Sequence, residues 1–334
     1  MDVAAQPEPA VPSLPIRPAA LLLALVVDAC PAQQGVSQQA LDEARLALRQ
    51  QLDAEALGAA YSAMASVTTA PEISAATYRI RDDSAAEPTM RLYKLPLMRP
   101  IARQGQNWTP YVHGNLGLMR YGTKLGIVGE DVDVRWTAYG GTLGLGARRP
   151  LGHWTGLVQA GIGIVHIENH ARYRGVVGQT LLAPLLKGLL FDWRANATKL
   201  SLTLGADYQR AFEPWQLEVR TRISTAHVDT FSSSSDFIDF DATGTVATLR
   251  SDASRAIAIR IAGRPTRVHL SLGATAHLGQ SRDALGFDRF VEAGGGFELD
   301  IGQASTVVES LKFGVLAIYG PDVVGWSLSM GLGF

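Results

Sequence analysis

The last twelve residues, Val323–Phe334, constrain this chain most. Val324, Trp326, Leu328, Met330, Leu332 and Phe334 are apolar, and the residues between them are Gly325, Ser327, Ser329, Gly331 and Gly333. A strand sends alternate side chains to opposite faces, so one face here is a greasy band and the other carries almost no side chain. A soluble sheet would cover the greasy face with a second layer and put charges on the other. A small, weakly polar second face with a terminal aromatic is the pattern of a transmembrane barrel strand, with lipid outside and lumen inside.

The same alternation recurs upstream. Leu200, Leu202, Leu204 and Ala206 oppose Lys199, Ser201, Thr203 and Gly205. Trp215, Leu217, Val219 and Ile223 oppose Gln216, Glu218, Arg220 and Arg222; Val268, Leu270, Leu272 and Ala274 oppose Arg267, His269, Ser271 and Gly273. In the segment Val132–Arg148 the apolar parity changes at Gly140-Gly141, which predicts a β-bulge. About twelve strands result, an even number, as bacterial barrels have. Long links (82–89, 122–131, 172–198, 231–244, 279–286) alternate with short ones (103–107, 150–152, 213–214, 263–265, 302–306), and 320–322 is a tight exception. Long outer loops and short periplasmic turns produce that alternation. The expectation is an all-β, antiparallel up-and-down transmembrane barrel over 73–334. Within 172–198, the Leu-rich run Leu181–Phe191 lacks period two. It reads as a helix at the membrane surface or folded into the lumen, with a further hairpin, giving about fourteen strands, as the alternative.

Ahead of the barrel, residues 33–72 form a helical segment. Ser37 can cap a helix that carries Leu41, Leu48, Leu52 and Leu57 among charged residues over Gly35–Ala65. Such a helix can thread the lumen as a plug or lie outside it as a periplasmic pre-barrel segment. Residues 1–32 read as a leader: Arg17, a short apolar run Ala19–Val27, then small residues up to Ala32. Acidic Asp2 and Glu8 are unusual in such a start. Cys30, the only cysteine, sits where a lipoprotein cysteine would, but Asp28 suits that processing poorly, so loss with the leader is the simpler reading.

Composition agrees with a barrel: 34 glycines in 334 residues and 18% charged residues, against about 7% and about 25% in average chains. No apolar run reaches the ~18 residues of a membrane-spanning helix. A net charge of −1 implies no nucleic-acid partner.

Chemistry has one place to reside, the inward parity. It holds Glu218, Arg220, Arg222, Arg260, Arg267, Glu292, Glu298, Asp300 and Lys312. Mixed signs on neighbouring strands favour structural ion pairs over a selective pore, which would show one sign. His269 and Ser271 share that face and Glu292 could join them, the three groups an ester hydrolase needs, but no oxyanion element accompanies them. We therefore assign no catalytic residue. No cysteine or acidic cluster joins His166 and His170, Gly294–Gly296 lies mid-strand with no helix after it, and neither a metal nor a cofactor is expected. The six tryptophans fall mostly near strand ends, as interfacial girdles do.

Arg91-Leu-Tyr-Lys-Leu-Pro-Leu97, Asn107-Trp-Thr-Pro-Tyr111 and the terminal Val324–Phe334 resemble the solitary outer-membrane autotransporter β-barrel family, over about 73–334. The resemblance implies an integral outer-membrane barrel without a large passenger, a helix through its lumen, and no catalytic residues. The expected role is structural, pore-forming or surface-interacting, with a porin-like channel as the alternative. The barrel assembly machinery would read the terminal residues Trp326, Leu328, Met330, Leu332 and Phe334. Outer-membrane lipid and an unidentified outer-loop ligand complete the expected partners.

Overall fold

The computed structural model describes residues 38–51, 54–68, 75–81, 88–101, 107–127, 129–279, 285–301 and 310–333. Residues 1–32, read above as a leader, and Phe334 lie outside these residues. The period-two segments form twelve strands: β1 Ala75–Ile80, β2 Thr89–Pro100, β3 Thr109–Ile127, β4 Glu130–Leu151, β5 Trp154–Tyr173, β6 Arg194–Phe212, β7 Trp215–Ser233, β8 Asp241–Ile261, β9 Arg264–Gly279, β10 Arg289–Asp300, β11 Ser310–Tyr319 and β12 Val323–Gly333. Each pairs antiparallel with its chain neighbours, and β1 pairs with β12, so the sheet closes into a barrel. Both edges of β1 are paired, one with β2 and one with β12, so along Ala75–Ile80 the seam exposes no unpaired backbone edge to lipid.

The outer wall is apolar in a belt. Leu143, Leu145, Ile162, Ile164, Leu200, Leu202, Leu204, Leu270 and Leu272 all project outward and are exposed. Two helices precede the wall: α1 Gln38–Gln51 and α2 Ala54–Thr68. Every described side chain of α2 from Ala60 to Thr68 is buried. The helix packs against β2, β3, β4, β5, β7 and β8, that is, against the inner wall.

The apolar parity in β4 changes without a bulge. Its pairing with β3 and β5 is continuous through Gly140-Gly141. The surroundings change instead. In the membrane-embedded half the outward residues are greasy, and Leu143 is 63% exposed. Nearer the long loops the inward residues Val132, Val134, Trp136 and Ala138 are greasy, and Ala138 is fully buried at 0% exposure. There the wall has risen above the lipid, so its outside faces water and its inside packs on the plug. Leu316 and Ile318 of β11 blur that strand's alternation for the same reason, since both are buried inward.

Three further expectations change. The link 122–131 is no long loop: β3 and β4 pair up to Ile127 and Glu130, and Gly129 takes φ +76° in the turn. Trp136 and Trp193 are buried inside the barrel, whereas Trp108, Trp154, Trp215 and Trp326 remain exposed as a girdle requires. The stretch 174–193 holds no hairpin. It is a loop with a π-helical turn Gly178–Leu182 and a short helix α3 Ala183–Leu186, and Leu182, Leu185, Leu186, Leu189, Leu190 and Phe191 are buried in the mouth.

The two environments of β4 make opposite demands on new charge. Leu143→Arg puts a guanidinium into lipid and should cost about 2–4 kcal/mol. Thr137→Glu, outward, above the apolar belt and flanked in the ladder by Arg120 and Glu168, should change stability by less than about 0.5 kcal/mol. Denaturant titration of the two variants refolded into lipid vesicles measures the difference.

Candidate functional site

The lumen has two tiers. The loop-side tier is apolar and is filled by α2. The Tyr61 ring lies 4.6 Å from Trp193 and 5.7 Å from Phe240, centroid to centroid. Trp193 is itself anchored: its indole N–H donates to the Leu190 carbonyl at 3.1 Å, and Asn169 bridges the Leu190 carbonyl (2.7 Å) and the Trp193 amide (3.2 Å). A side chain at Gly58 would press on Phe240, its Cβ only 3.1 Å from the Phe240 Cβ. Above α2, α1 lies across the mouth. Arg45 donates to the Pro184 and Lys187 carbonyls at 2.5 and 2.9 Å, and the Arg49 guanidinium sits 3.7 Å from the Phe237 ring centroid. Cationic side chains are thus paired with the carbonyls and ring face that the folded-in loops present.

The far end of α2 meets the wall at mid-height. Its last turn abuts Gly117 of β3, where any Cβ would collide with the Thr68 carbonyl oxygen. A glycine there lets the helix end approach the sheet backbone. The last four carbonyls of a helix have no partner within it. Lys199, buried on the inner face of β6, donates to one of them, the Ser66 carbonyl, at 3.3 Å. A cation at a helix C-terminus also complements the helix dipole.

The tier towards the short turns is charged. Arg222 pairs with Asp207 at 2.6 Å, and Arg220 with Asp252 at 2.7 Å and Glu218 at 3.5 Å. Arg250 reaches Asp252 at 3.4 Å. Lys312 approaches Glu218 at 3.8 Å and Glu298 at 4.0 Å, and Glu298 accepts a hydrogen bond from Ser310 at 2.6 Å. The Lys312–Glu218 contact joins β11 to β7, which are not neighbours, so it bridges the lumen. Arg267 donates to Gln216 and Ser254, both at 3.1 Å. Glu292 stands higher, buried, accepting from Ser327 at 3.3 Å. Asp300 is exposed at the short-turn end of β10. Arg260 stands apart from this cluster: it lies beyond a register irregularity near the end of β8 and is exposed.

Three members of the cluster were missing from the sequence reading: Asp207, Arg250 and Asp252. Asp207 was available, since it follows Lys199, Ser201, Thr203 and Gly205 on one parity. Arg250 and Asp252 share a face of β8, but Ser251 and Ala253 opposite them are too small to reveal an alternation. Asp252 is the hub: besides both arginines it accepts the Ser271 hydroxyl. That bond removes Ser271 from His269. The His269 Nδ1 is buried with no hydrogen-bond partner among the described residues, so the base–hydroxyl pair a hydrolase needs is not assembled. His166 and His170 point outward from β5. His166 bonds Asn196 at 2.8 Å, and no group of three or more candidate ligands forms among the described residues.

Replacing Asp252 by Ala leaves Arg220, Arg250 and Ser271 facing one another without their acceptor. We expect a loss of about 3 kcal/mol, as when one partner of a buried ion pair is removed. Asp252→Asn, which still accepts from Ser271, should lose less. Unfolding midpoints of the refolded barrels check both.

The chain is similar in structure to the β domain of the Bordetella autotransporter BrkA (16% identity, covering 77% of this chain and 94% of that one, TM-score 0.48). It is also similar to the translocator domain of NalP from Neisseria meningitidis (12% identity, 78% and 85% covered, TM-score 0.49). The transport unit of AIDA-I from Escherichia coli is alike to the same degree (12% identity, 79% and 89% covered, TM-score 0.49). No curated protein matches the chain. The profile of the solitary outer membrane autotransporter beta-barrel domain matches residues 81–331. The chain therefore belongs to the solitary outer membrane autotransporter β-barrel family, and it is a protein of the bacterial outer membrane.

Proposed function

We propose that this protein is a self-plugged outer-membrane barrel, with a structural or surface-interaction role and no enzymatic chemistry. The observation that carries this reading is the burial of α2 inside the wall, under a mouth closed by α1 and the loops 174–193 and 234–240. The segment ahead of the barrel is then a plug and not a passenger. Outer-membrane lipid surrounds the apolar belt. The barrel assembly machinery is the partner that the terminal residues Trp326, Leu328, Met330, Leu332 and Phe334 address. Surface ligands meet the outer loops and α1, since binding residues concentrate in loops.

A porin-like channel is the second reading, and the two-tier lumen weighs against it. An open pore for solutes needs a continuous aqueous path. Here α2 occupies the loop-side tier, and the Lys312–Glu218 pair spans the charged one. A lumen-wall hydrolase using His269 and Ser271 has less support, because the Ser271 hydroxyl goes to Asp252.

Single-channel recording decides between plug and pore. The full chain should insert without steady conductance, and a form lacking residues 38–68 should conduct. Equal conductance in both would put the helix outside the conducting path and favour a channel. Insertion of both forms with silence in both would show that the wall charges alone close the lumen.

A further inference from the structure

The outward face of β1–β5 carries a basic band that neither the plug nor the lumen network uses. Arg91 of β2 and Arg120 of β3 are both exposed and stand directly opposite each other in the ladder. Like charges opposite one another across a strand pair are destabilising. One step along, Arg135 of β4 opposes Gly122, diagonal to Arg120, and Arg172 of β5 stands opposite Asp133; both arginines are exposed. Among the described residues, the carboxylates of this face are Asp131, Asp133 and Glu168. Asp133 is engaged by Arg174 at 2.7 Å, and Glu168 lies 3.9 Å from His166 and 4.0 Å from His170. Among the described residues, no carboxylate stands between Arg91 and Arg120 in the ladder.

Height fixes the kind of anion. The rung directly beneath Arg91–Arg120 is Tyr93–Leu118, with Leu95–Leu116 below it, and Tyr93, Leu95 and Leu116 are exposed on the lipid side. Tyr93 and Tyr139 give this level the aromatic residues typical of a membrane–water boundary. A ligand here therefore has its anionic group at the arginines and its apolar part along the wall below. Paired guanidinium groups suit phosphate oxygens through bidentate hydrogen bonds. The band is also directional. At the same rim, β7 and β8 place Asp229 opposite Asp241.

We propose that the outward face of β1–β5, centred on Arg91 and Arg120, binds the phosphate groups of lipid headgroups in the outer leaflet. The bound phosphate offsets the repulsion between the opposed arginines and holds this side of the barrel in register with the membrane surface. This assignment is independent of whether α2 closes the lumen.

The test uses the full chain refolded in neutral detergent. It is titrated with a bis-phosphorylated, acylated glucosamine disaccharide and read by native mass spectrometry. Arg91→Gln/Arg120→Gln should weaken binding at least tenfold, and Arg120→Gln alone at least threefold. The control Arg210→Gln/Arg255→Gln, at the short-turn end, should bind as the parent does. Without lipid, the thermal midpoint of the double variant should be unchanged or higher, because a repulsion has been removed. Equal binding of the dephosphorylated lipid, or undiminished binding by either variant at Arg120, overturns the proposal. Displacement of the lipid by inorganic phosphate at equal concentration overturns it as well, since the site would then recognise free phosphate.

Discussion

Hydrocarbon offers no hydrogen-bond partners, and that constraint governs the rest of this molecule. Every backbone N–H and C=O that enters the bilayer must be satisfied by the chain itself. Twelve strands meet the requirement by pairing β1 with β12. Once the wall is closed, its outer face can be uniformly apolar, and everything polar has to go inside or beyond the lipid. The sorting of residues along each strand follows from that division.

Closure creates a second problem, an interior with no chain to fill it. The protein solves it twice. On the loop side, a helix supplied by its own N-terminal segment brings Tyr61, Met64 and Val67 against Trp136, Trp193 and Phe240, as the core of a soluble domain would. On the short-turn side, charges of both signs satisfy one another around Asp252 and Glu218. Glycine at 117 and lysine at 199 join the two solutions, the first by giving the helix end room and the second by meeting its carbonyl. The wall charges are thus organised as a scaffold of pairs and not as a surface of one sign.

Much of this was legible in the sequence, because period two is a direct imprint of a wall with two different sides. The strand order and the terminal strand follow from parity, whereas Arg260 and Asp300, placed on the inward parity by the same logic, are exposed near strand ends. The apparent bulge at Gly140-Gly141 shows where that logic fails. Parity reports which face is greasy, and it reads as outward only while lipid is outside. Above the membrane the same wall encloses an apolar core, so the greasy parity moves inward while the pairing stays unbroken. Trp136 was read as a girdle residue for the same reason. Arg250 and Asp252 escaped because small neighbours mask alternation, and the hub role of Asp252 depends on strands distant in sequence. The position of α2 was beyond sequence altogether, since amphipathicity does not say which apolar surface covers a helix.

The central claim is that α2 lies inside the wall, and its position can be tested by a single covalent link. Gly58 of α2 approaches Phe240 so closely that a Cβ on Gly58 would lie 3.1 Å from the Phe240 Cβ, near the separation of about 3.8 Å that disulfides prefer. With Cys30 replaced by Ser, Gly58→Cys/Phe240→Cys should form a disulfide in outer membranes under mild oxidation. The pair Gly58→Cys/Leu145→Cys, with its second member on the lipid side, should not. Failure of the first pair to close, with Gly58→Cys freely labelled by a bulky water-soluble reagent, would contradict a helix in the lumen.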